Sequence, residues 1–275
     1  MTPSGAVTQF PIQIPGSFPW LIARGPDGNL WFTLPDSGSG DIGRITTTGT
    51  VTLFPIPTAN SDPAGIVAGP DGNMWFTEEA ANQIGVITTG VNAMGAPSGT
   101  AGTFTEYPIT TPNSQPWNIA VGSDGALWFT EYNAGQIGRI PTSGLPMNEY
   151  PTGVTGSRPF GIAAGPNNEI WFTDDGVDTN DVGRMSVTGT NVVETPLTSP
   201  NSYPNIIVEG PDSNMWFTEA TSSRIGMMTT GANPTLTEYS VSANSSPEGI
   251  AVGPGNTLWF TETTAGNIGE IENLP

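Results

Sequence analysis

Cysteine, histidine and lysine are all absent from this chain of 275 residues. Without cysteine there is no disulfide framework, no thiolate nucleophile and no cysteine metal site, and the redox compartment stays undetermined. Without histidine there is no imidazole to serve as general base near neutral pH. Charge is scarce as well: charged residues make up 11% of the chain, against about a quarter in ordinary globular domains. What charge there is leans one way, with six arginines facing 25 Asp and Glu for a formal net charge of −19. Such a field repels phosphate backbones and anionic lipid, which argues against nucleic acid and membrane surfaces and for a small neutral or cationic ligand or a protein partner. No apolar run approaches membrane-spanning length. The opening "MTPSGAVTQF" lacks the charged and apolar regions of a signal peptide. The Thr, Gly, Pro and Asn richness without lysine points to a secreted, extracellular bacterial protein, expected to be a monomer.

What the chain does have is repetition. The triplet Trp-Phe-Thr begins at Trp31, Trp75, Trp128, Trp171, Trp216 and Trp259, with successive spacings of 44, 53, 43, 45 and 43 residues. A period in the forties with strand-like segments predicts a β-propeller, and each repeat reads as four short strands. The first is "GIVAG" (65–69), closed by a Pro-Asp-Gly turn in which proline presets φ and glycine accepts positive φ. The second is "NMWFTE", rich in aromatic and β-branched residues. The third is "QIGVI" (83–87). The fourth is "TEYPI" (105–109), whose proline suits an edge strand. Trp75 and Phe76, being consecutive, face opposite sides of their strand, so both sides must be covered by neighbouring blades. Outer-strand motifs number six, yet the first, at Phe10-Pro11, precedes any Trp-Phe-Thr. The expected architecture is therefore one all-β domain over 1–275, a six-bladed propeller of four-stranded antiparallel blades. The N-terminal strand around Val7–Ile12 is expected to complete the last blade and close the ring. The spacing of 53 accommodates the insertion "VNAMGAPSGTAGT" (91–103) between the third and fourth strands of blade two, read as a mobile rim loop.

Slots kept in every copy build the fold; slots that differ at the channel mouth are candidates for function. Two such slots lie on one face. The residue after proline at the entry to strand one is Trp20, Ala64, Trp117, Phe160, Asn205 and Glu248 in the six copies. Trp20, Trp117 and Phe160, with Asn205 beside them, would form a platform able to stack a sugar or an aromatic or macrocyclic ligand; alternatively the rings simply plug a wide channel. The residue after Trp-Phe-Thr is Leu34, Glu78, Glu131, Asp174, Glu219 and Glu262. Like charges held together raise one another's pKa unless a cation intervenes. Arg44, Arg139 and Arg184 are candidates to neutralise some of these carboxylates, and Mg²⁺ or Ca²⁺ could relieve the rest through oxygen ligands. The bland alternative is that each carboxylate caps the turn that follows it. The run "DDGVDTND" (174–181) offers oxygen ligands without EF-hand glycine spacing, and "NSS" at Asn244 is a sequon pattern.

"PEGIAVGPGNTLWFTETTAGNIGEI" (247–271) and "EYPITTPNSQPWNIAVGSDGALWFTE" (106–131) resemble repeats of the virginiamycin B (streptogramin B) lyase family across nearly the whole chain. The resemblance implies a seven-bladed propeller that uses Mg²⁺ to open a cyclic depsipeptide antibiotic by elimination at its ester linkage. It implies catalytic histidines in the Pro-x-Gly slot, filled here by other residues, and a metal-associated glutamate in the slot after Trp-Phe-Thr, filled here by carboxylates. Three readings follow. The first is a non-catalytic binding propeller on this scaffold. The second is a metal-dependent lyase or hydrolase of a cyclic ester or lactone, with Glu248 as base and Glu262 as metal ligand. The third is a structural extracellular interaction module.

Overall fold

A computed structural model of the chain describes residues 8–14, 16–35, 40–176, 180–272 and 274. Six antiparallel sheets stand in a ring as the blades of a β-propeller, with one short 3₁₀ turn at Pro166–Asn168 as the helical element among the described residues. In blade two the strands are Pro63–Ala68, Met74–Glu78, Gln83–Ile87 and Phe104–Pro108, paired in that order from the channel outward. Blade one runs Ile22–Arg24, Leu30–Leu34, Asp41–Ile45 and Val51–Pro55. Blade six holds three strands, Pro247–Gly253, Thr257–Glu262 and Asn267–Ile271. Residues 88–103 lie between the third and fourth strands of blade two, as their sequence predicts.

The consecutive Trp and Phe do face opposite ways. Trp75 packs with Leu127 and Phe129 of blade three, while Phe76 packs with Trp31 of blade one. The same exchange joins Trp128 to Phe172, Trp171 to Phe217 and Trp216 to Phe260. The tip of each Phe ring meets a third-strand glycine of its own blade: a Cβ on Gly85 would sit 2.1 Å from the Phe76 ring, so any larger residue there would displace the phenylalanine. The Pro-Asp-Gly turn also does more than reverse the chain. Its aspartate accepts from the indole Nε1 of its own blade, Asp27 from Trp31 at 3.0 Å and Asp71 from Trp75 at 3.1 Å. A buried indole N–H is thereby satisfied at the blade interface.

Two expectations need correction. Residues 8–12 form no strand, and the last sheet stays three-stranded among the described residues; Val7 lies outside them. The N-terminal segment instead lies against blade one, with the Phe10 ring on Gly49. Counting strands gives the number of blades but not the angle between them, which is set by side-chain packing. The third-strand arginines also act elsewhere than expected. Arg44, Arg139 and Arg184 pair with Asp27, Asp124 and Glu169 at 3.8, 2.7 and 2.8 Å. These acids lie at the turn end of strand two, opposite to the end that carries Glu78 and its counterparts.

Candidate functional site

The entry to each first strand is built from a Ser-x-Pro turn. The residue before proline has a left-handed backbone at Asp62 (φ 55°), Gln115 (58°), Tyr203 (56°) and Ser246 (52°). Positive φ is uncommon outside glycine and costs free energy that the surroundings must hold in place. The slot residue after proline is then fixed from the neighbouring blade. The threonine hydroxyl of Trp-Phe-Thr donates to its carbonyl: Thr33 to Ala64 at 2.9 Å, Thr77 to Trp117 at 2.8 Å, Thr130 to Phe160 at 3.0 Å, Thr173 to Asn205 at 2.6 Å and Thr218 to Glu248 at 2.7 Å. The same hydroxyl accepts from a backbone N–H in the first strand of its own blade, for example Thr77 Oγ1 from Gly65 N at 2.8 Å. Backbone at the slot is thus locked while the side chain is free to vary, which is how a repeat scaffold can carry a site.

Trp20, Trp117 and Phe160 come together. Trp20 meets Trp117 edge-on with ring centres 5.7 Å apart, and Trp117 meets Phe160 at 4.9 Å. Two rings that slot reasoning missed extend the plate: Phe18 lies 5.9 Å from Trp20, and Tyr132 lies 6.1 Å from Phe160. Phe18 and Trp20 are 57% and 46% exposed, so this plate faces solvent rather than a closed core. At its far end the Tyr132 hydroxyl points at Asp175 Oδ2 from 3.5 Å, and the Arg158 guanidinium stands 5.6 Å from the Tyr132 ring centre. Burial pushes the Asp175 carboxyl up to about 6, against the pull of the Tyr203 and Tyr132 hydroxyls. Asn205 and the exposed Glu248 occupy the slots of blades five and six. Glu248 Oε1 lies 3.1 Å from Thr263 Oγ1.

The second slot is different in kind. Glu78, Glu131, Asp174 and Glu219 are fully buried and Glu262 nearly so. A second carboxylate on the outer strand is paired with the intervening third-strand glycine: Glu106 with Gly85, Glu149 with Gly138, Glu194 with Gly183 and Glu238 with Gly226. Three of these outer glutamates, Glu106, Glu149 and Glu238, hold the segment that leaves the preceding blade. Glu106 accepts from Thr58 N and Oγ1, both at 3.1 Å, and Glu149 accepts from Thr110 N at 2.9 Å and Thr111 Oγ1 at 2.6 Å. Burial first, and then the neighbouring outer glutamate, pushes Glu78 and Glu131 up to about 8 and Glu219 up to about 7. Asp174 behaves as a turn cap, accepting from Arg158 N at 2.8 Å and Gly176 N at 2.9 Å. Glu262 accepts from Asn267 Nδ2 at 3.2 Å. A hard divalent cation takes about six to eight oxygen ligands, and no three acidic side chains converge on one point among the described residues. Within the 174–181 run, residues 177–179 lie outside the described ones.

The model of the virginiamycin B lyase family matches residues 1–96 and 91–274. A catalytically inactive histidine-to-alanine variant of virginiamycin B lyase from Staphylococcus aureus, solved with quinupristin, is 33% identical with a TM-score of 0.87, over 98% of this chain and 85% of that one. A streptogramin B lyase structure is 32% identical with a TM-score of 0.86, over 98% and 83%. Hydrazine synthase from Kuenenia stuttgartiensis shares the fold alone, at 15% identity and a TM-score of 0.70, over 97% and 80%. No curated protein matches the sequence.

Proposed function

The chain belongs to the virginiamycin B lyase family, and from that premise we propose that it is a ligand-binding propeller that holds a macrocyclic or flat apolar ligand at its channel mouth without opening it. The observation that carries this reading is the continuous plate Phe18, Trp20, Trp117, Phe160 and Tyr132, set on slots whose backbone is locked by the neighbouring blade. Neighbouring rings in this row meet tilted or edge-on, at 38° to 89°, and together present aromatic surface to the channel mouth. Asp175 and Glu248 at the rim suit a donor or cationic group on the ligand. The chemistry of turnover has no evident carrier. General acid–base groups supply roughly 10²–10⁴-fold each, and the histidine that serves most often is missing from the whole chain. The lyase relative solved with quinupristin is inactive after losing one histidine, which separates holding that molecule from reacting with it.

The test uses quinupristin with the intact protein. Titration followed by tryptophan fluorescence should show saturable binding, and Trp117→Ala should weaken it by about tenfold or more, equivalent to about 1.4 kcal/mol. Mass spectrometry of the same mixture, with Mg²⁺ and with EDTA, should recover the intact ring. A linear product that forms only with Mg²⁺ and disappears in Glu248→Gln would replace this reading with the metal-dependent lyase. Absence of binding would leave the interaction module.

A further inference from the structure

Six arginines are the only cationic side chains of the chain, and they are not placed alike. Arg44, Arg139, Arg184 and Arg224 each stand between 2.7 and 3.8 Å from an acid. Arg24 ends the first strand of blade one, beside the Pro-Asp-Gly turn and away from the mouth. Arg158 stands at the mouth, partly exposed, and makes no ion pair among the described residues. The two acids that touch its surroundings are turned to other donors. Asp174 accepts through Oδ1 from Arg158 N at 2.8 Å and Gly176 N at 2.9 Å, and through Oδ2 from Ser157 Oγ. Asp175 turns Oδ2 to the Tyr132 hydroxyl at 3.5 Å. In a chain with 25 acids, a guanidinium without a carboxylate at contact distance keeps its fork of N–H donors for another partner.

Arg158 also occupies a repeat position that varies. The residue before the strand-one proline is Phe18, Asp62, Gln115, Arg158, Tyr203 and Ser246 in the six copies. From blade two to blade six its carbonyl accepts from the backbone N–H two residues after the triplet, as in Asp62 from Glu79 at 3.0 Å, Arg158 from Asp175 at 3.2 Å and Tyr203 from Ala220 at 3.1 Å. The backbone is held the same way in each blade while the side chains differ. Those side chains meet across the blades. Gln115 Nε2 donates to Glu79 Oε1, the Arg158 guanidinium stacks 5.6 Å from the Tyr132 ring centre, and Asp175 lies beside Tyr203. They form a collar at the rim of the aromatic plate. Tyr132 belongs to both, with its ring 6.1 Å from Phe160. The positive charge of the collar therefore stands at one end of the plate, within reach of a ligand lying on it.

Building on the binding role of the plate, we infer that Arg158 is a specificity-determining residue of the mouth and binds an anionic oxygen group carried by an aromatic ligand whose rings lie on the plate. Bonds from a guanidinium to an anionic oxygen are charge-assisted and directional, and a fork already stacked on a ring loses little freedom when it makes them. The negative field of the whole chain opposes an anion at a distance, but salt screens it over about 8 Å under physiological conditions. At contact the guanidinium governs. The ligand class that follows is a planar aromatic acid, with its rings toward Trp117 and Phe160 and its acid toward blade four.

Two fluorescent probes that share one ring system separate the charge from the plate. 8-Anilinonaphthalene-1-sulfonate carries an anionic group; N-phenyl-1-naphthylamine lacks it and is neutral. Both should bind the intact protein, and Trp117→Ala should weaken both, which places them on the plate. Arg158→Met keeps the stem and removes the charge. It should raise the Kd of the sulfonate by about tenfold or more and leave that of the neutral probe unchanged, while Arg158→Lys restores most of the sulfonate affinity. Added sodium chloride should weaken the sulfonate in the native protein and lose that effect in Arg158→Met. Equal losses of both probes in Arg158→Met, or no loss of the sulfonate, overturn the role of Arg158 and leave the plate standing. Binding of neither probe, or binding that Trp117→Ala does not weaken, overturns the plate as a binding surface and the role of Arg158 with it.

Discussion

Blade one carries Leu34 and Leu53 where blade two carries Glu78 and Glu106. Leu53 pairs with Gly43 and Glu106 with Gly85, while Leu34 pairs with Asp41 and Glu78 with Gln83, and Leu34 and Glu78 are equally buried. Two positions far apart in the repeat thus change chemistry together within one molecule. In blade two the charge of Glu106 is felt at Glu78, and the difference teaches that these two positions can hold either two acids or two aliphatic side chains. Buried polar groups of this kind can be replaced by apolar ones at little net cost, provided that both partners change.

The comparison is broken most severely by changing one member alone. Leu34→Glu places a carboxyl at a fully buried position whose strand partner is the buried Asp41, and should cost about 3–5 kcal/mol at pH 8, less in acid where the group is neutral; urea unfolding at both pH values measures it. The reverse change sharpens the comparison. The native Glu78, Glu131 and Glu219 carboxyls titrate at about 8, 8 and 7 against an ordinary value of 4.5. A folded pKa above the unfolded one means that the native state holds the proton more tightly. The stability these groups contribute is complete below pH 4.5 and is lost as pH rises through 7 to 8. Melting temperature should therefore fall between pH 5 and pH 8.5, and Glu78→Gln should flatten that slope and recover about 1–3 kcal/mol at pH 8. A melting temperature rising over this range would refute the shared origin of these shifts. The smallest effect is expected at the mouth, where Trp20 is nearly half exposed. Trp20→Ala should leave stability within about 0.5 kcal/mol, as surface changes generally do, while reducing ligand affinity.

The fold was legible because the chain compares itself six times. The Trp-Phe alternation, the Pro-Asp-Gly turns and the even period each follow from local rules, and they specified blades and their order. The aromatic plate was legible in part: Trp20, Trp117 and Phe160 share one slot, whereas Phe18 and Tyr132 come from the residues beside two different slots and carry no periodic signal. The outer glutamates were missed although their signal was present, since Glu106, Glu149, Glu194 and Glu238 align with Leu53. Pairing could not be read from either strand alone. The place of the N-terminal segment was illegible for a different reason. The motif at Phe10-Pro11 is plain in the sequence, but whether it pairs with the last blade depends on the packing angle, which emerges only when all the interfaces form together.

The threonine bonds that stitch the blades join residues 31, 40, 30, 32 and 30 positions apart. None of these ties waits for a distant part of the chain. Contacts of short sequence separation lower the entropic barrier to folding, and in repeat architectures order spreads from neighbour to neighbour. During synthesis, each blade can be secured once the first strand of its successor has left the ribosome. The chain would then acquire its structure progressively from the N-terminal end, with blade six the last to form and the first to fray.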